Sequence, residues 1–321
     1  MNLPRPTRWW MIPLCVLAFS SFSTGLAQTP GGSVHPKPLS VTTVGTLRVE
    51  RYGQGSPAMI FIPGLACGSW VWDGTVPTFA SAHAVYVVTM AGFDGLPAPS
   101  GPPVDGADAS LLQLITSEKL DRPIVVGHSL GGYLALRFGT EHAALVRAVI
   151  SVDGTPVLPQ LSQSTPDDRA TIAAGVVAQM RSATPEQFAA VERQTIATMV
   201  TDPANAARVA ALTAKSDPQA VAAYTSDLLR ADLRPELAKL TVPTLELAPV
   251  PTVPASFEGP QAATESMADR EVSYGQFYRS LFPGAPNLSI VTIPNSRHFI
   301  MVDQPQALDD AMAKFVATLP P

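Results

Sequence analysis

Apolar residues in this chain gather into short unbroken runs, separated by stretches where they recur every three or four positions. The short runs predict strands at Leu47–Tyr52, Met59–Ile62, Val85–Thr89, Ile124–Val126, Ala148–Val152, Thr244–Ala248 and Leu288–Ile293. Most lack polar alternation, as expected for strands covered on both faces of a parallel sheet. Helical stretches separate several of them, which predicts an α/β layered fold.

Between Val152 and Thr244 the texture changes. This region is rich in alanine and shows no strand pattern. Four helix starts share one design: Thr165-Pro166, Thr184-Pro185, Asp202-Pro203 and Asp217-Pro218. Each pairs a capping side chain with proline at the first helical position. Thr184-Pro-Glu-Gln187 also reads as a capping box. Residues 156–240 therefore predict an all-helical cap, inserted into a core built from 44–155 and 241–321. About 85 residues is far more than one crossover connection needs.

The first 27 residues are set apart by a basic start at Arg5 and Arg8, an apolar stretch from Trp9 to Phe22, and the small-residue ending Gly25-Leu26-Ala27. This tripartite pattern predicts a cleaved signal peptide and an exported protein, periplasmic or extracellular. The apolar stretch is short for a membrane span. Pro13-Leu14-Cys15 lacks the small residue that precedes a lipid-modified cysteine. Residues 28–43, rich in Pro, Gly, Ser and Thr, read as a disordered leader.

Composition then narrows the function classes. Without Arg5 and Arg8 the formal charge goes from −5 to −7, which argues against nucleic acid or anionic membrane surfaces as partners. Removal of the signal leaves Cys67 as the single cysteine, so no internal disulfide is expected, and the thiol is either a buried structural group or a reactive one. No metal-spaced Cys/His cluster or phosphate loop occurs, so no metal or cofactor is called for. The expected partner is a small-molecule substrate. Oligomeric state is open.

Candidate chemistry centres on Gly127-His-Ser129-Leu-Gly131. An apolar run, Ile124 to Val126, precedes it, and Leu130, Leu134 and Phe138 follow at helical spacing. A strand, a tight turn and a helix in this order push the Ser129 hydroxyl above the sheet edge. They also set the amide of Leu130 at a helix N-terminus, where it can face a developing oxyanion. A serine hydroxyl needs a base within hydrogen-bond reach and an acid to orient that base. Of the five histidines, His35 lies in the leader, His83 precedes a strand, and His142 sits after a helix. His128 abuts Ser129 but points away from its hydroxyl if the elbow forms. His298 follows the last strand, where a loop can carry it over the sheet's carboxyl edge.

With these motifs the chain resembles the α/β-hydrolase superfamily, in its serine-nucleophile branch with a helical cap. The resemblance rests on the Gly-x-Ser-x-Gly elbow, a Pro-Gly loop, the helical insert and the late histidine. It implies a mostly parallel central sheet flanked by helices. It places the acid after the strand two before the end of the sheet, and here that position, 252, is threonine. Glu246 lies inside that strand and reads as a local structural group. Some members carry the acid one strand after the nucleophile helix, where this chain has Asp153-Gly154. Asp153 is the expected acid, and Glu258 or Asp269 are the alternatives. The order Ser129, Asp153, His298 agrees with the superfamily's order.

The resemblance also supplies the second oxyanion amide. Ile60-Phe-Ile-Pro63-Gly64-Leu65 stands where relatives carry His-Gly-x, so Leu65 joins Leu130. Trp70 and Trp72 follow, as hydrophobic packing or as the wall of an acyl or alcohol pocket. Phe93 is placed on the opposite rim, and Asp94 reads as a turn residue. The reaction implied is hydrolysis of carboxylic esters, thioesters or lactones. A peptidase, a C–C hydrolase, a cofactor-free haloperoxidase and a non-catalytic binding protein remain alternatives. Serine at the nucleophile position disfavours the dehalogenase and epoxide hydrolase branches, which use aspartate.

Overall fold

Eight strands form one sheet in the computed structural model, which describes residues 35–252 and 265–320. The expectations for the signal segment, for residues 28–34 and for Glu258 lie outside the described residues. In chain order the strands are β1 (Ser40–Val44), β2 (Leu47–Tyr52), β3 (Met59–Ile62), β4 (Val85–Met90), β5 (Ile124–His128), β6 (Ala148–Val152), β7 (Thr244–Val250) and β8 (Leu288–Pro294). Their order across the sheet is β1-β2-β4-β3-β5-β6-β7-β8. β1 pairs antiparallel with β2, and β2 with β4, while every other pairing is parallel.

The helices are α1 (Val76–Ala80), α2 (Pro103–Ser117), α3 (Leu130–Glu141), α4 (Pro166–Ser182), α5 (Pro185–Met199), α6 (Pro203–Thr213), α7 (Pro218–Arg230), α8 (Met267–Leu281), α9 (Ile300–Asp303) and α10 (Pro305–Val316). None of them is long and apolar enough to cross a membrane.

The unbroken apolar runs are explained by two cores. Along β3, Ile60 and Ile62 join a cluster with α2 and α3, while Met59 and Phe61 join another with α1 and α10. β5 divides the same way, with Val125 on one face and Ile124 and Val126 on the other. Successive side chains of a strand point to opposite faces, so a strand covered on both sides has no polar position. Each such Ile, Val or Phe contributes roughly 1.5–3 kcal/mol through burial.

Two boundaries differ from expectation. Residues 40–43 are strand, not disordered leader. Val41, Thr42, Thr43 and Val44 are β-branched, and Gly45, at φ 55°, opens a two-residue turn that lets β1 fold back on β2. The chain before it is tied down as well, because Nδ1 of His35 lies 2.6 Å from Asp73 and Nε2 lies 3.1 Å from Glu50. β7 runs two residues past Ala248, through Pro249. Its pairing with β6 stops at Leu247, so proline's missing N–H costs no bond on that side.

α4 to α7 begin at the four proline-marked starts. Thr165 and Thr184 form capping boxes, and Asp202 and Asp217 accept from the amides three residues on. The insert is anchored at three loops that follow strands. Ser216 Oγ donates to the carbonyl of Ala66 at 2.9 Å, the amide of Asp217 donates to Gly92 O at 2.7 Å, and the amide of Phe299 donates to Met199 O at 3.2 Å. Together with the rest of the described residues the insert belongs to one compact unit.

Candidate active site

Ser129 joins β5 to α3 at φ 55° and ψ −119°, a backbone conformation that costs a non-glycine residue about 1–3 kcal/mol. The surrounding glycines permit it. A Cβ at residue 127 would stand 1.9 Å from the carbonyl oxygen of Gly131, and one at residue 131 would stand 2.4 Å from that of Ile62. The amide of Ser129 donates to Val152 O at 3.0 Å, which ties the elbow to the end of β6. Ser129 stays partly exposed among buried neighbours.

Leu130 is the first residue of α3, so its N–H has no acceptor within the helix. Facing the elbow is the Pro63-Gly64-Leu65 loop. A Cβ on Gly64 would lie 3.1 Å from Cβ of Ser129, so the loop backbone rests against the serine. Ala66, at φ 59°, and the bond from the amide of Cys67 to Gly64 O at 3.1 Å close this loop as a turn around Leu65.

Asp153 directly follows β6 at φ 49°, with its amide donating to Leu247 O at 3.0 Å. Its Oδ2 lies 2.5 Å from Nδ1 of His298. Burial raises the Asp153 carboxyl. The adjoining His298 ring, and the hydrogen bonds from His298 and from Tyr278, outweigh burial and hold it below the usual carboxylate range. The acid position that the resemblance favours holds no carboxylate: Thr252 Oγ1 donates to Oδ1 of Asn295 at 3.1 Å. Asp269 is exposed and caps the start of α8 through Ser266. Glu246 is fully buried beside Ser151, and burial pushes its carboxyl well above the usual carboxylate range.

The His298 loop is held from both sides. The amide of Ser296 donates to Val250 O, and that of Arg297 to Asp303 at 2.8 Å. Nη1 of Arg297 reaches the carbonyls of Ala197 and Val200 at the end of α5. His128 does turn away from the serine hydroxyl. Its Nε2–H donates to the carbonyl of His298 at 3.0 Å, with the two rings 4.7 Å apart. Burial, reinforced by His298, pulls the His128 ring down to about 3, so it stays neutral.

The aromatic candidates separate. Trp70 is partly buried at the rim of the second core. Trp72 has no exposed surface. It packs edge-on against Phe61 at 5.1 Å and His128 at 6.5 Å, so it is a core residue beneath the elbow, not a pocket wall. Phe93 is likewise fully buried, 4.7 Å from the ring of Tyr224 on α7, and therefore joins the insert to the core instead of forming an open rim. Asp94, at φ 48°, is a turn residue, with Arg48 3.3 Å away. Burial pushes the Cys67 thiol well up, which leaves it unreactive. Among the described residues one group, Asp108, Glu141 and His142, brings three potential metal-binding side chains together. Glu141 accepts from Arg137 at 2.9 Å, and His142 and Asp108 lie 3.4 Å apart, so the group is an ion-pair network.

Sequence reading missed Tyr278. Its hydroxyl donates to Oδ1 of Asp153 from α8, 125 residues away. No local pattern marks it.

The elbow, the imidazole–carboxylate pair and the parallel sheet beneath them define a hydrolase class with a serine at the strand–helix turn. Residues 59–311 match the model of the alpha/beta hydrolase family, and the chain belongs to that family. It is similar to the pimeloyl-[acyl-carrier protein] methyl ester esterase of Edwardsiella ictaluri, 24% identical over 268 residues that cover 82% of this chain and 94% of that protein. The protein of the same name from Aeromonas hydrophila is 29% identical over 111 residues, 35% of this chain and 42% of that protein. The enol-lactonase of Burkholderia xenovorans LB400 has a similar structure, with a TM-score of 0.67 at 17% identity, covering 87% of this chain and all of that one.

Proposed function

We propose that this protein is an exported serine hydrolase that cleaves carboxylic esters of small to medium size through an acyl-enzyme. The observation that carries the reading is a serine held in a strained elbow beside the strand end whose Asp153 engages Nδ1 of His298. Ester-cleaving relatives of the same family support it. The Ser129 hydroxyl attacks the ester carbonyl while Nε2 of His298 takes its proton. The amides of Leu65 and Leu130 receive the charge on the carbonyl oxygen. As the tetrahedral adduct collapses, His298 returns that proton to the leaving alcohol. Water then attacks the acyl-enzyme along the same path, and Asp153 holds the imidazole in the tautomer that both steps need.

The helical insert is the proposed selector of the acyl group, because it is anchored to the loops after β3, β4 and β8. A series of p-nitrophenyl esters of graded chain length tests both ideas, with an aminopeptidase substrate alongside. Short esters should be turned over and the aminopeptidase substrate should not; the reverse would make the protein a peptidase. Enlarging small residues of α4 to α7 should shift the preferred acyl length and leave acetate turnover nearly unchanged. Equal effects on acetate and long-chain esters would reduce the insert to a stability element.

Export rests on the tripartite residues 1–27. Mass spectrometry of protein recovered from its native host should find Gln28 at the N-terminus, free or cyclised. An intact Met1 would contradict cleavage.

A further inference from the structure

Asp153 receives two side-chain donors, on its two oxygens. Nδ1 of His298 meets Oδ2 at 2.5 Å, and the hydroxyl of Tyr278 donates to Oδ1. Tyr278 is buried, 6% exposed, on the helix that follows the position where a carboxylate was first expected. With threonine at 252, the acid approaches from the neighbouring strand β6, and α8 presents a hydroxyl to its far oxygen.

We propose that Tyr278 is a positioning residue for hydrolysis: by occupying Oδ1 it keeps Oδ2 of Asp153 turned to His298 and takes a share of the carboxylate's charge. The inference rests on Ser129, His298 and Asp153 being the reacting groups. A carboxylate with a single partner would rotate about its terminal torsion, which is broad and two-fold. A second donor removes that freedom, and charge-assisted bonds of this kind are among the strong ones.

The titratable and charged groups around the pair are His128 on β5, Glu246 on β7, Tyr274 and Tyr278 on α8, and Arg297 and Asp303 beside the His298 loop. Burial keeps the His128 ring neutral near pH 7 and pushes the Glu246 carboxyl well up. Burial, and then the Asp153 charge, raise the Tyr278 hydroxyl so that it remains a donor. The carboxylate bonded to the His298 ring is that of Asp153, and the Tyr278 hydroxyl shares its charge.

Tyr278→Phe keeps the ring and removes the donor. Ester kcat should fall about tenfold to a hundredfold, the worth of one hydrogen bond to a charged group, with KM within about twofold. Losing the donor concentrates charge on Oδ2 and favours the protonated imidazole, so the acid limb of kcat/KM should move upward by about half a pH unit. A limb that stays in place or moves downward overturns the proposal, whatever happens to Tm. Because Tyr278 acts through Asp153, adding Tyr278→Phe to Asp153→Asn should lower kcat no further, and an additive loss also overturns it. If the phenylalanine variant folds poorly, fluorotyrosine at 278 keeps the frame with a stronger donor and should move the limb downward; an unmoved limb counts against the idea. Fluorophosphonate labelling of the wild type separates the two levels. Absence of label on Ser129 refutes the serine mechanism itself, whereas normal labelling with an unmoved limb refutes only the role of Tyr278.

Discussion

Ser129→Ala should abolish ester hydrolysis, with kcat falling by about 10⁶-fold, the loss seen when the nucleophile of a serine hydrolase is removed. The remaining amides could still polarise a carbonyl, but no group would stand ready to form the acyl-enzyme. Stability should hardly change. The side chain makes no capping bond to α3, and it is partly exposed, so removing Oγ leaves no buried group unpaired. The backbone strain at φ 55° is the same for alanine as for serine. Thermal unfolding should therefore match the wild type while fluorophosphonate labelling disappears. A folded Ser129→Ala protein that is still labelled at the wild-type level would move the nucleophile elsewhere.

Asp153→Asn should lower kcat by about 10⁴-fold with little change in fold. The amide can still accept from Tyr278, but it offers an N–H toward Nδ1 of His298, where the carboxylate accepted one. The ring then carries its proton on Nε2 and cannot take the serine's. The wild-type carboxyl lies below the usual range, so its contribution is present above about pH 4, the value for a free aspartate. It is lost only as pH falls below that. Asp269→Asn serves as the control, because that residue caps α8 and should leave kcat intact. Near wild-type turnover in Asp153→Asn would sink the assignment and return the acid to the 255–271 segment.

The division between what was legible and what was not follows the range of each interaction. The four insert helices start where Thr165, Thr184, Asp202 and Asp217 precede proline, because a capping side chain and the amide that donates to it are three residues apart. The elbow could be read in part for the same reason: Gly127 is required by the backbone of Gly131 and Gly132, four and five residues on, whereas Gly131 is required by Ile62 and Pro63 at the end of β3. Unbroken apolar runs marked a sheet covered on both faces without saying which residues cover it. Only packing decided that β1 continues the sheet where composition read as a leader, since Val41, Thr42 and Thr43 need the β2 edge to become a strand. Packing also buried Trp72 under the elbow and Phe93 against Tyr224, where adjacency to a motif had placed both at a pocket.

The sequence by itself determined the layered class and the strand–serine–helix turn, because each is a pattern of residues close together in the chain, while His298 and Asp153 are singled out by their places after strands and by the family resemblance. The tertiary structure decided which groups share a hydrogen bond. The carbonyl of His298 is met by His128 from 170 residues away, and Oδ1 of Asp153 by Tyr278 from 125. Neither pairing leaves a trace in the local sequence, since an imidazole or a phenol acquires its partner only after strands and helices far apart in the chain have packed and excluded water between them.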